Sequence, residues 1–378
     1  MDFSLSEEQQ EVRNLARKIL EDRCTQERLR EIEASQDALD LELWRDLAKA
    51  NLLGVGLPEA FGGSDLGFFT TCLLLEEIGR AVAPVPALAS LVMAALPIAR
   101  FGSPEQQQRW LPGVVSGEWI LSAGLQEAGN ELIARPVTAF RASGGGFLLD
   151  GVKICVPAAR AAQRVLVPAR GADGQVGVFL IDPRGAGVKL EPQVTTNRER
   201  QFQLTLSSAQ VGAEDLLGTL AQGAEIAQWI ADRATTAACA IQLGVSDRAL
   251  RMTASYAATR VQFERPIGSF QAVHARAADA FIDVEAMRLT TWLAAWRLSE
   301  GLPADDEVAV AKYWAAEGGQ FVGYAAQHLH GGIGIDVDYP LHRYYLWAKQ
   351  LELTLGSAPV QLARIGARMA RDPAPAGA

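Results

Sequence analysis

The feature that most constrains this fold is a helical run that stops and restarts within a few residues. An Ala-rich stretch predicts a long helix from about 221 to 262, and Pro266 and Gly268 interrupt the pattern just beyond it. Ser269 is a good N-cap residue and predicts the start of the next helix. Two long helices therefore meet at a tight elbow.

The predicted elbow is rich in groups that bind anions. Arg260 and Arg265 flank the break, and Gln271 adds an amide one turn into the second helix. Free backbone groups at helix ends can bind a ligand, and guanidinium groups match the geometry of phosphate oxygens. The elbow therefore suits a pyrophosphate, although a plain helix corner with solvated arginines is the commoner cause of such a pattern.

Composition limits the classes of protein that this chain can be. Its 378 residues are 49% apolar and 21% charged, which predicts a globular chain with two or three domain-sized cores. We find no stretch that predicts a membrane span and no basic-then-apolar leader, so we expect a cytoplasmic protein. The formal charge of −9 disfavours a nucleic-acid partner.

The cysteines and histidines give no signal for disulfides or for a metal site. The cysteines are scattered without a Cys-x-x-Cys pair, and the histidines lack the spacing typical of zinc ligands. We therefore expect small buried thiols and no bound metal. The residues concerned are Cys24, Cys72, Cys155, Cys239, His274, His328, His330 and His342.

Hydrophobic periodicity divides the chain into three predicted domains. Helical repeats fill 1–117, with predicted helix caps at Ser6, Asp40 and Ser103. Short β-type runs fill 118–216, and helical repeats return in 217–371. We therefore predict an α+β fold with an N-terminal helical domain, a central antiparallel β-barrel-like domain and a C-terminal antiparallel helical bundle. The tail 372–378 is predicted to be disordered.

Turn residues set the predicted bounds of the individual elements. Pro112 is expected to end a short helix, and Asp150 and Pro168 are expected to end two strands. The other predicted helices are 7–24, 41–51, 70–82, 87–101, a partner of the long helix that ends before Pro303, 306–329, one that begins at Leu341, and 357–370.

Several segments resemble one known family. Arg260-Val-Gln-Phe and Arg265-Pro-Ile-Gly-Ser-Phe-Gln are similar to the flavin-contacting turn of the acyl-CoA dehydrogenase family, and Gln327-His-Leu-His-Gly-Gly-Ile-Gly334 is similar to its second flavin segment. The resemblance spans essentially the whole chain, since it also covers Ser4-Leu-Ser-Glu-Glu-Gln-Gln, Leu57-Pro-Glu-Ala-Phe-Gly-Gly63, Ala348-Lys349 and Leu355-Gly-Ser.

The resemblance implies an FAD-dependent enzyme that desaturates an acyl-CoA thioester between its α and β carbons. In this family a carboxylate removes the α-proton, the β-hydrogen leaves as hydride to the flavin, and the electrons pass to an electron-transfer flavoprotein. Matching the family's motifs to this chain gives the expected FAD-binding residues Arg260, Gln262, Phe263, Phe270, Gln271, Gln327, His330, Gly331, Gly332, Gly356 and Ser357.

This chain departs from the family in the β-domain. The run from Leu125 to Asn130 keeps Glu127 and Gly129 but lacks the Thr and Pro that are usual there, and the run Val152-Lys-Ile-Cys-Val-Pro157 lacks the usual aromatic residue. The resemblance therefore supports the domain more strongly than individual flavin contacts within it.

The chain also lacks the family's catalytic base. Leu355 stands where a Glu usually precedes Gly-Thr, and Ala234 stands at the alternative position on the long helix. Neither side chain can take a proton, so the catalytic residue is unknown. Four carboxylates lie nearby: we expect three on solvated helix faces and the last paired with Arg265, namely Asp232, Glu225, Glu352 and Glu264.

Three hypotheses explain the missing base. The chain is one subunit of a hetero-oligomer, such as a heterotetramer, in which a paralogous subunit carries the carboxylate, as in bacterial family members that act on bulky sterol side-chain CoA thioesters. Alternatively, it is a homo-oligomeric dehydrogenase with a relocated base, Glu264 or Asp232. The third hypothesis is a non-enzymatic homologue that binds acyl-CoA without flavin.

Overall fold

The order of helices and strands follows the predicted fold class. The structure, a computed structural model, describes residues 4–371, so the predicted disordered tail 372–378 lies outside the described residues. Its α-helices are α1 (Glu7–Arg23), α2 (Gln26–Ala34), α3 (Leu41–Lys49), α4 (Gly67–Ala81), α5 (Leu96–Phe101), α6 (Pro104–Val115), α7 (Gly223–Thr259), α8 (Gln271–Ser299), α9 (Asp305–His330), α10 (Leu341–Leu353) and α11 (Ala358–Arg371).

The strands lie between α6 and α7, apart from one short hairpin after α7. They are β1 (Leu121–Ala123), β2 (Ala139–Ser143), β3 (Gly146–Pro157), β4 (Arg164–Arg170), β5 (Val176–Ile181), β6 (Val188–Val194), β7 (Arg200–Val211), β8 (Leu216–Leu217), β9 (Val261–Gln262) and β10 (Arg265–Pro266). The α+β prediction, with helices at both ends and strands in the middle, is confirmed.

Contacts divide the chain into two compact units. The sheet unit comprises Glu27–Thr71 and Pro84–Ala234, and the helical unit comprises residues 4–26, 72–83 and 235–371. The bounds of the three predicted domains, at 117 and 216, stay a prediction.

Side-chain caps set several helix starts where the sequence predicts them. The Ser6 hydroxyl accepts from the Gln9 N–H while the Gln9 side chain accepts from the Ser6 N–H, and Ser103 and Gln106 repeat this capping box at α6. The Asp40 carboxylate accepts from the Leu43 N–H at 3.0 Å and starts α3.

Some helix predictions are wrong where packing overrides local preference. Pro112 lies inside α6, which runs on to Val115 because its apolar face is buried. The sequence pattern missed α2, whose only buried side chains are Leu29 and Ile32. The predicted helix 87–101 is a π-helix at Leu88–Ala95 followed by α5. The π-helix is buried on all sides. Apolar periodicity therefore cannot distinguish its wider turn from the turn of an α-helix.

The two predicted strand ends at Asp150 and Pro168 are also wrong. The strand β3 continues past Asp150. Its pairing with β7 shifts in register there, as it does at a β-bulge, where one strand has an extra residue. Pro168 pairs with β5, but β1 reaches only Leu166 and β2 pairs at Arg170 on the other side of β4. Proline has no N–H, and at Pro168 this costs no hydrogen bond because neither β1 nor β2 pairs with β4 at that position.

The sheet unit contains one mostly antiparallel sheet of eight strands. Its order is β6-β7-β3-β2-β4-β5-β8, with β1 paired to β4, and only the β1–β4 and β2–β4 pairs are parallel. Its core is mostly aliphatic and contains Phe179, whose ring lies 5.2 and 5.0 Å from the ring centroids of Phe140 and Phe147.

A buried carboxylate, Glu127, ties three segments of the sheet unit together. It accepts from Lys153 Nζ at 2.7 Å, Thr138 Oγ1 at 2.6 Å, Val137 N at 2.6 Å and Asn130 Nδ2 at 2.8 Å, and also from the Thr138 N–H. Burial raises the pKa of Glu127, but the Lys153 charge and these hydrogen bonds lower it to about 2. Burial lowers the pKa of Lys153 to about 8, so the pair is ionised at neutral pH.

In the helical unit, α4 and α7 cross with their backbones in close contact. A Cβ at Gly244 would lie 2.6 Å from Arg80 N and 2.9 Å from Glu76 C. Beside this crossing the buried carboxylates of Glu76, Glu77 and Asp247 face arginines of several helices, at distances between 2.6 and 3.2 Å. The glycine and the ion network together fix how α7 packs.

We predict that Gly244→Ala lowers the free energy of unfolding by about 1–3 kcal/mol or more, because the added methyl group forces α4 and α7 apart. Gly366→Ala is the matched control: Gly366 lies on α11 with nothing within 4 Å of a Cβ, so the change should stabilise the helix by up to about 1 kcal/mol. Chemical denaturation followed by circular dichroism measures both. Equal effects at the two positions would contradict the close crossing.

We predict that Lys153→Met costs about 3–5 kcal/mol of stability at pH 7, because it leaves the Glu127 carboxylate buried without its cation. The double variant Glu127→Gln, Lys153→Met should recover part of this loss, since an amide is less costly to bury. Because the folded-state pKa of Glu127 is depressed, its contribution is complete above about pH 4.3 and declines as the pH falls towards 2. Urea unfolding across this range should therefore show a weaker pH dependence for Glu127→Gln than for the wild-type chain.

Candidate cofactor site

The predicted elbow between α7 and α8 is a two-stranded hairpin. The strand β9 pairs antiparallel with β10, and Phe263 and Glu264 form the turn between them with φ of 50° and 65°. Positive φ costs a residue with a Cβ roughly 1–2 kcal/mol, and turns of this kind usually hold Asn-Gly. Phe263 is nevertheless 87% exposed. A strained turn that presents an aromatic ring to solvent marks this segment as a candidate ligand contact.

Two details of the elbow differ from the prediction. The helix α7 ends at Thr259 rather than 262, because Val261 and Gln262 pair with β10. Ser269 does not cap α8, which begins at Gln271: the Ser269 hydroxyl donates to the Pro266 carbonyl at 2.7 Å, inside a short 3₁₀ turn.

The charged side chains of the elbow point to solvent. Arg260 is exposed, and its carbonyl accepts from the Ile267 N–H at 2.9 Å, which closes the base of the hairpin. The Arg265 guanidinium lies 4.2 Å from the centroid of the Phe270 ring. The predicted pairing of Glu264 with Arg265 is wrong, since within residues 4–371 Glu264 forms no ion pair.

The second predicted segment lies at the end of α9. Gln327 Nε2 donates to the Gly334 carbonyl at 3.0 Å, while Gln327 Oε1 is buried without a hydrogen-bond partner. Gly331 has φ of 64°, and nothing lies within 4 Å of a Cβ at Gly331 or Gly332. The backbone at these two glycines is therefore open to a ligand.

An aromatic stack joins the end of α7 to the end of α9. The rings of Tyr256 and His330 lie 4.4 Å apart with an interplanar angle of 18°. Tyr256 precedes Arg260 by one helical turn, and His330 precedes Gly331 directly. The stack therefore places the elbow next to the open glycines. Arg276 Nη1 lies 3.0 Å from His328 Nδ1 and links α8 to α9 as well.

His330, at the end of α9, is buried. The predicted contacts Arg260, Gln262, Phe263 and Gln271 on the elbow are exposed. The Nδ1 atom of His330 lies 2.9 Å from the Ala326 carbonyl and its Nε2 lies 3.1 Å from the Tyr339 hydroxyl. Burial lowers the pKa of His330, although its bond to Ala326 opposes this, so the ring is neutral at pH 7. Sequence reasoning missed Tyr256 and Tyr339, since neither lies in a motif that resembles the family.

The loop that follows α10 holds the remaining predicted contacts. Leu355 is 5% exposed with φ of 59°, and Gly356 has φ of 100°. The Gly356 and Ser357 carbonyls accept hydrogen bonds from Gln361 on α11 at 3.4 and 3.2 Å. The structure thus buries a leucine in a left-handed backbone position at the first base position, and it ties this loop to α11.

The four candidate carboxylates are either engaged by other side chains or exposed. Ala234, at the second base position, is fully buried. Asp232 accepts from Gln228 at 2.7 Å, and Glu352 pairs with Lys349 at 2.6 Å. Glu225 is exposed, and so is Glu264 on its hairpin turn.

These features fit a bound dinucleotide such as FAD. Exposed Arg260 and Gln271 can meet phosphate oxygens, and the open backbone at Gly331 and Gly332 can approach a ligand closely. The buried Gln327 Oε1 is an acceptor that lacks a donor, and a ribose or ring group can supply one. The exposed ring of Phe263 adds an apolar surface.

Models of two protein domains match the two ends of the chain. The N-terminal domain model of acyl-CoA dehydrogenases matches residues 6–118, and the C-terminal domain model matches residues 221–370. The acyl-CoA dehydrogenase FadE27 of Mycobacterium tuberculosis is 42% identical over 99% of this chain and 100% of its own length.

Two solved structures share the fold over nearly the whole chain. A structure of the ChsE4-ChsE5 complex from Mycobacterium tuberculosis matches with a TM-score of 0.94 and 42% identity, covering 99% of this chain and 100% of the other. A variant of the Tcur3481-Tcur3483 steroid ACAD matches with a TM-score of 0.92 and 46% identity, covering 98% and 99%. Since these likenesses extend over both ends and the middle, the chain belongs to the acyl-CoA dehydrogenase family of FAD-dependent oxidoreductases.

Proposed function

We propose that this chain is one subunit of a hetero-oligomeric acyl-CoA dehydrogenase in which a paralogous subunit supplies the catalytic carboxylate. The observation that carries the proposal is the pair of base positions: both are buried, and both hold aliphatic side chains, Leu355 and Ala234. The residues that the resemblance gives as FAD contacts are present in the sequence.

Without a base, the rate of α-proton removal would be much lower. General-base catalysis commonly contributes about 10²–10⁴, or roughly 3–5 kcal/mol of barrier. The nearby carboxylates Asp232 and Glu352 are engaged by Gln228 and Lys349. A carboxylate from another subunit is therefore the simplest source of the base.

The relatives support a shared assembly and suggest a substrate class. ChsE4-ChsE5 is a complex of two different proteins, and Tcur3481-Tcur3483 is described as a steroid enzyme. We propose by analogy that this chain pairs with a paralogous subunit, as in a heterotetramer, and that the assembly acts on a bulky acyl-CoA. We also propose an electron-transfer flavoprotein as its electron acceptor.

The chain's proposed part in the reaction is to bind, orient and exclude water. Arg260 and Gln271 would hold the phosphates of FAD, and the backbone of Gly331 and Gly332 would lie against it. Further contacts would come from Gln262, Phe263, Phe270, Gln327, Gly356 and Ser357. When bound, FAD supplies the acceptor for the β-hydride.

Leu355 has a different proposed part. It is buried, apolar and fixed in a left-handed backbone position. Such a side chain cannot move a proton, but it keeps water away from its surroundings and so strengthens nearby electrostatic interactions. We propose that Leu355 forms part of a wall that excludes water from the site and that it does not contact the reacting bond.

We predict that co-expression with a paralogous acyl-CoA dehydrogenase encoded beside this chain yields a yellow hetero-oligomer that desaturates acyl-CoA. The chain expressed alone should show no turnover, because no carboxylate occupies either base position. Size-exclusion chromatography with visible absorbance and an electron-acceptor assay check both preparations. An active, flavin-loaded homo-oligomer of this chain alone would contradict the proposal, and a colourless complex would favour a non-enzymatic role.

We predict that carboxylates of this chain are dispensable in the active complex. Asp232→Asn and Glu264→Gln, which remove the candidate relocated bases, should leave turnover within a few-fold of wild type. Replacing the partner's Glu or Asp at the position that corresponds to Leu355 or Ala234 should lower turnover by about 10²–10⁴ while the flavin stays bound. Steady-state kinetics with flavin spectra separate the two cases, and a large loss in Asp232→Asn or Glu264→Gln alone would favour a relocated base.

A further inference from the structure

Three rings in the helical unit form a cluster that the proposed function does not use. Tyr256 on α7 stacks on His330 at the end of α9, with 4.4 Å between centroids. The Tyr339 hydroxyl lies 3.1 Å from His330 Nε2, and the Tyr339 ring is 5.3 Å from the imidazole. We name Tyr256, His330 and Tyr339 the ring cluster.

Hydrogen bonds fix the orientation of the imidazole in the ring cluster. His330 Nδ1 faces a carbonyl oxygen, that of Ala326, at 2.9 Å, so this nitrogen carries the proton and donates. His330 Nε2 is then the acceptor for the Tyr339 hydroxyl. The ring can neither rotate nor exchange its nitrogens without losing one of these bonds.

The ring cluster connects two backbone segments that are otherwise far apart in the sequence. One helical turn separates Tyr256 from Arg260, and the backbone bond from Arg260 N to the Tyr256 carbonyl is 2.8 Å long. His330 is bonded directly to Gly331, where the chain turns with φ of 64°. A movement of the stack therefore shifts the guanidinium and the open glycines relative to each other.

We infer that the ring cluster is a positioning device for the cofactor, which sets the distance between Arg260 and the backbone of Gly331 and Gly332. In this role His330, which the resemblance gives as an FAD contact, acts instead by holding the two segments that touch the cofactor. The inference rests on the proposed function, because it assumes that FAD binds at the elbow. It assigns to Tyr256 and Tyr339 a part in cofactor binding that no motif of the chain indicates.

The test measures FAD release from the flavin-loaded complex of this chain with its paralogous subunit. Tyr256→Leu removes the stack, Tyr256→Phe keeps it, and Tyr339→Phe removes the hydroxyl donor to His330. Tyr324→Leu is the matched control, since Tyr324 is an exposed tyrosine on α9 that contacts Tyr345 rather than the ring cluster. Flavin fluorescence reports release, and visible circular dichroism of bound flavin reports its orientation.

We expect Tyr256→Leu to release FAD about 2- to 12-fold faster, the range typical of one aromatic pair, with an altered flavin dichroism. Tyr256→Phe should restore both readouts, and Tyr324→Leu should match wild type. In ¹⁵N spectra of selectively labelled histidine, Tyr339→Phe should shift the His330 Nε2 signal and speed FAD release. Thermal unfolding of each complex after FAD removal should change little.

The outcomes separate the inference from the proposed function. Wild-type release and dichroism in both Tyr256→Leu and Tyr339→Phe would overturn the inference alone. Equal effects of Tyr324→Leu and Tyr256→Leu would also overturn it, because they would indicate general loosening of α9. A wild-type complex that binds no FAD would overturn the proposed function and the inference with it. If Tyr256→Leu fails to fold, Tyr339→Phe, which removes a single oxygen atom, decides the matter.

Discussion

The packing of α7 against α4 is the constraint on which the rest of the helical unit depends. At Gly244 the two backbones approach so closely that no side chain fits between them. Buried carboxylates beside the crossing are satisfied by arginines, and burial alone would raise the pKa of Glu77 and of Asp247, yet hydrogen bonds and charges from these arginines hold both low. The helix is thereby held along its axis and in rotation. Because α7 is held in this way, Tyr256 and Arg260 have fixed positions at its C-terminal end.

How α7 ends matters as much as how it packs. A helix that simply frayed would leave Arg260 on a flexible chain. Instead the chain reverses through a two-residue turn in which Phe263 and Glu264 both have positive φ. Neither residue favours that conformation, so the surrounding contacts must hold it, chiefly the β9–β10 pairing and the hydrogen bond from Ile267 to Arg260. Strain retained at an exposed aromatic residue is easier to explain by ligand contact than by stability.

The sequence predicted the parts of this molecule that rest on local chemistry. Ser6, Asp40 and Ser103 each cap a helix that begins at the next residue, and these predicted caps are confirmed. The π-helix, the helical Pro112 and the hairpin in place of an N-cap at Ser269 could not be predicted, because each depends on packing against distant residues. The Tyr256–His330 stack joins residues 74 positions apart, so no pattern within one segment could reveal it. Motifs named the two candidate cofactor segments, but only the fold brought them together.

The loop at Leu355 has an unusual backbone for a buried aliphatic residue. Leu355 has φ of 59° and is followed by Gly356 at 100°, and a left-handed backbone costs a residue with a Cβ roughly 1–2 kcal/mol. One turn earlier, at the end of α10, the buried Lys312 donates to the Leu351 carbonyl at 2.6 Å. A chain that retains the scaffold of a site without its proton acceptor is under a different constraint from one that has lost the site, since its loops must still fit a cofactor or a neighbouring subunit. The backbone at Leu355 and Gly356 therefore fits the proposal that this chain is a subunit of a shared active site.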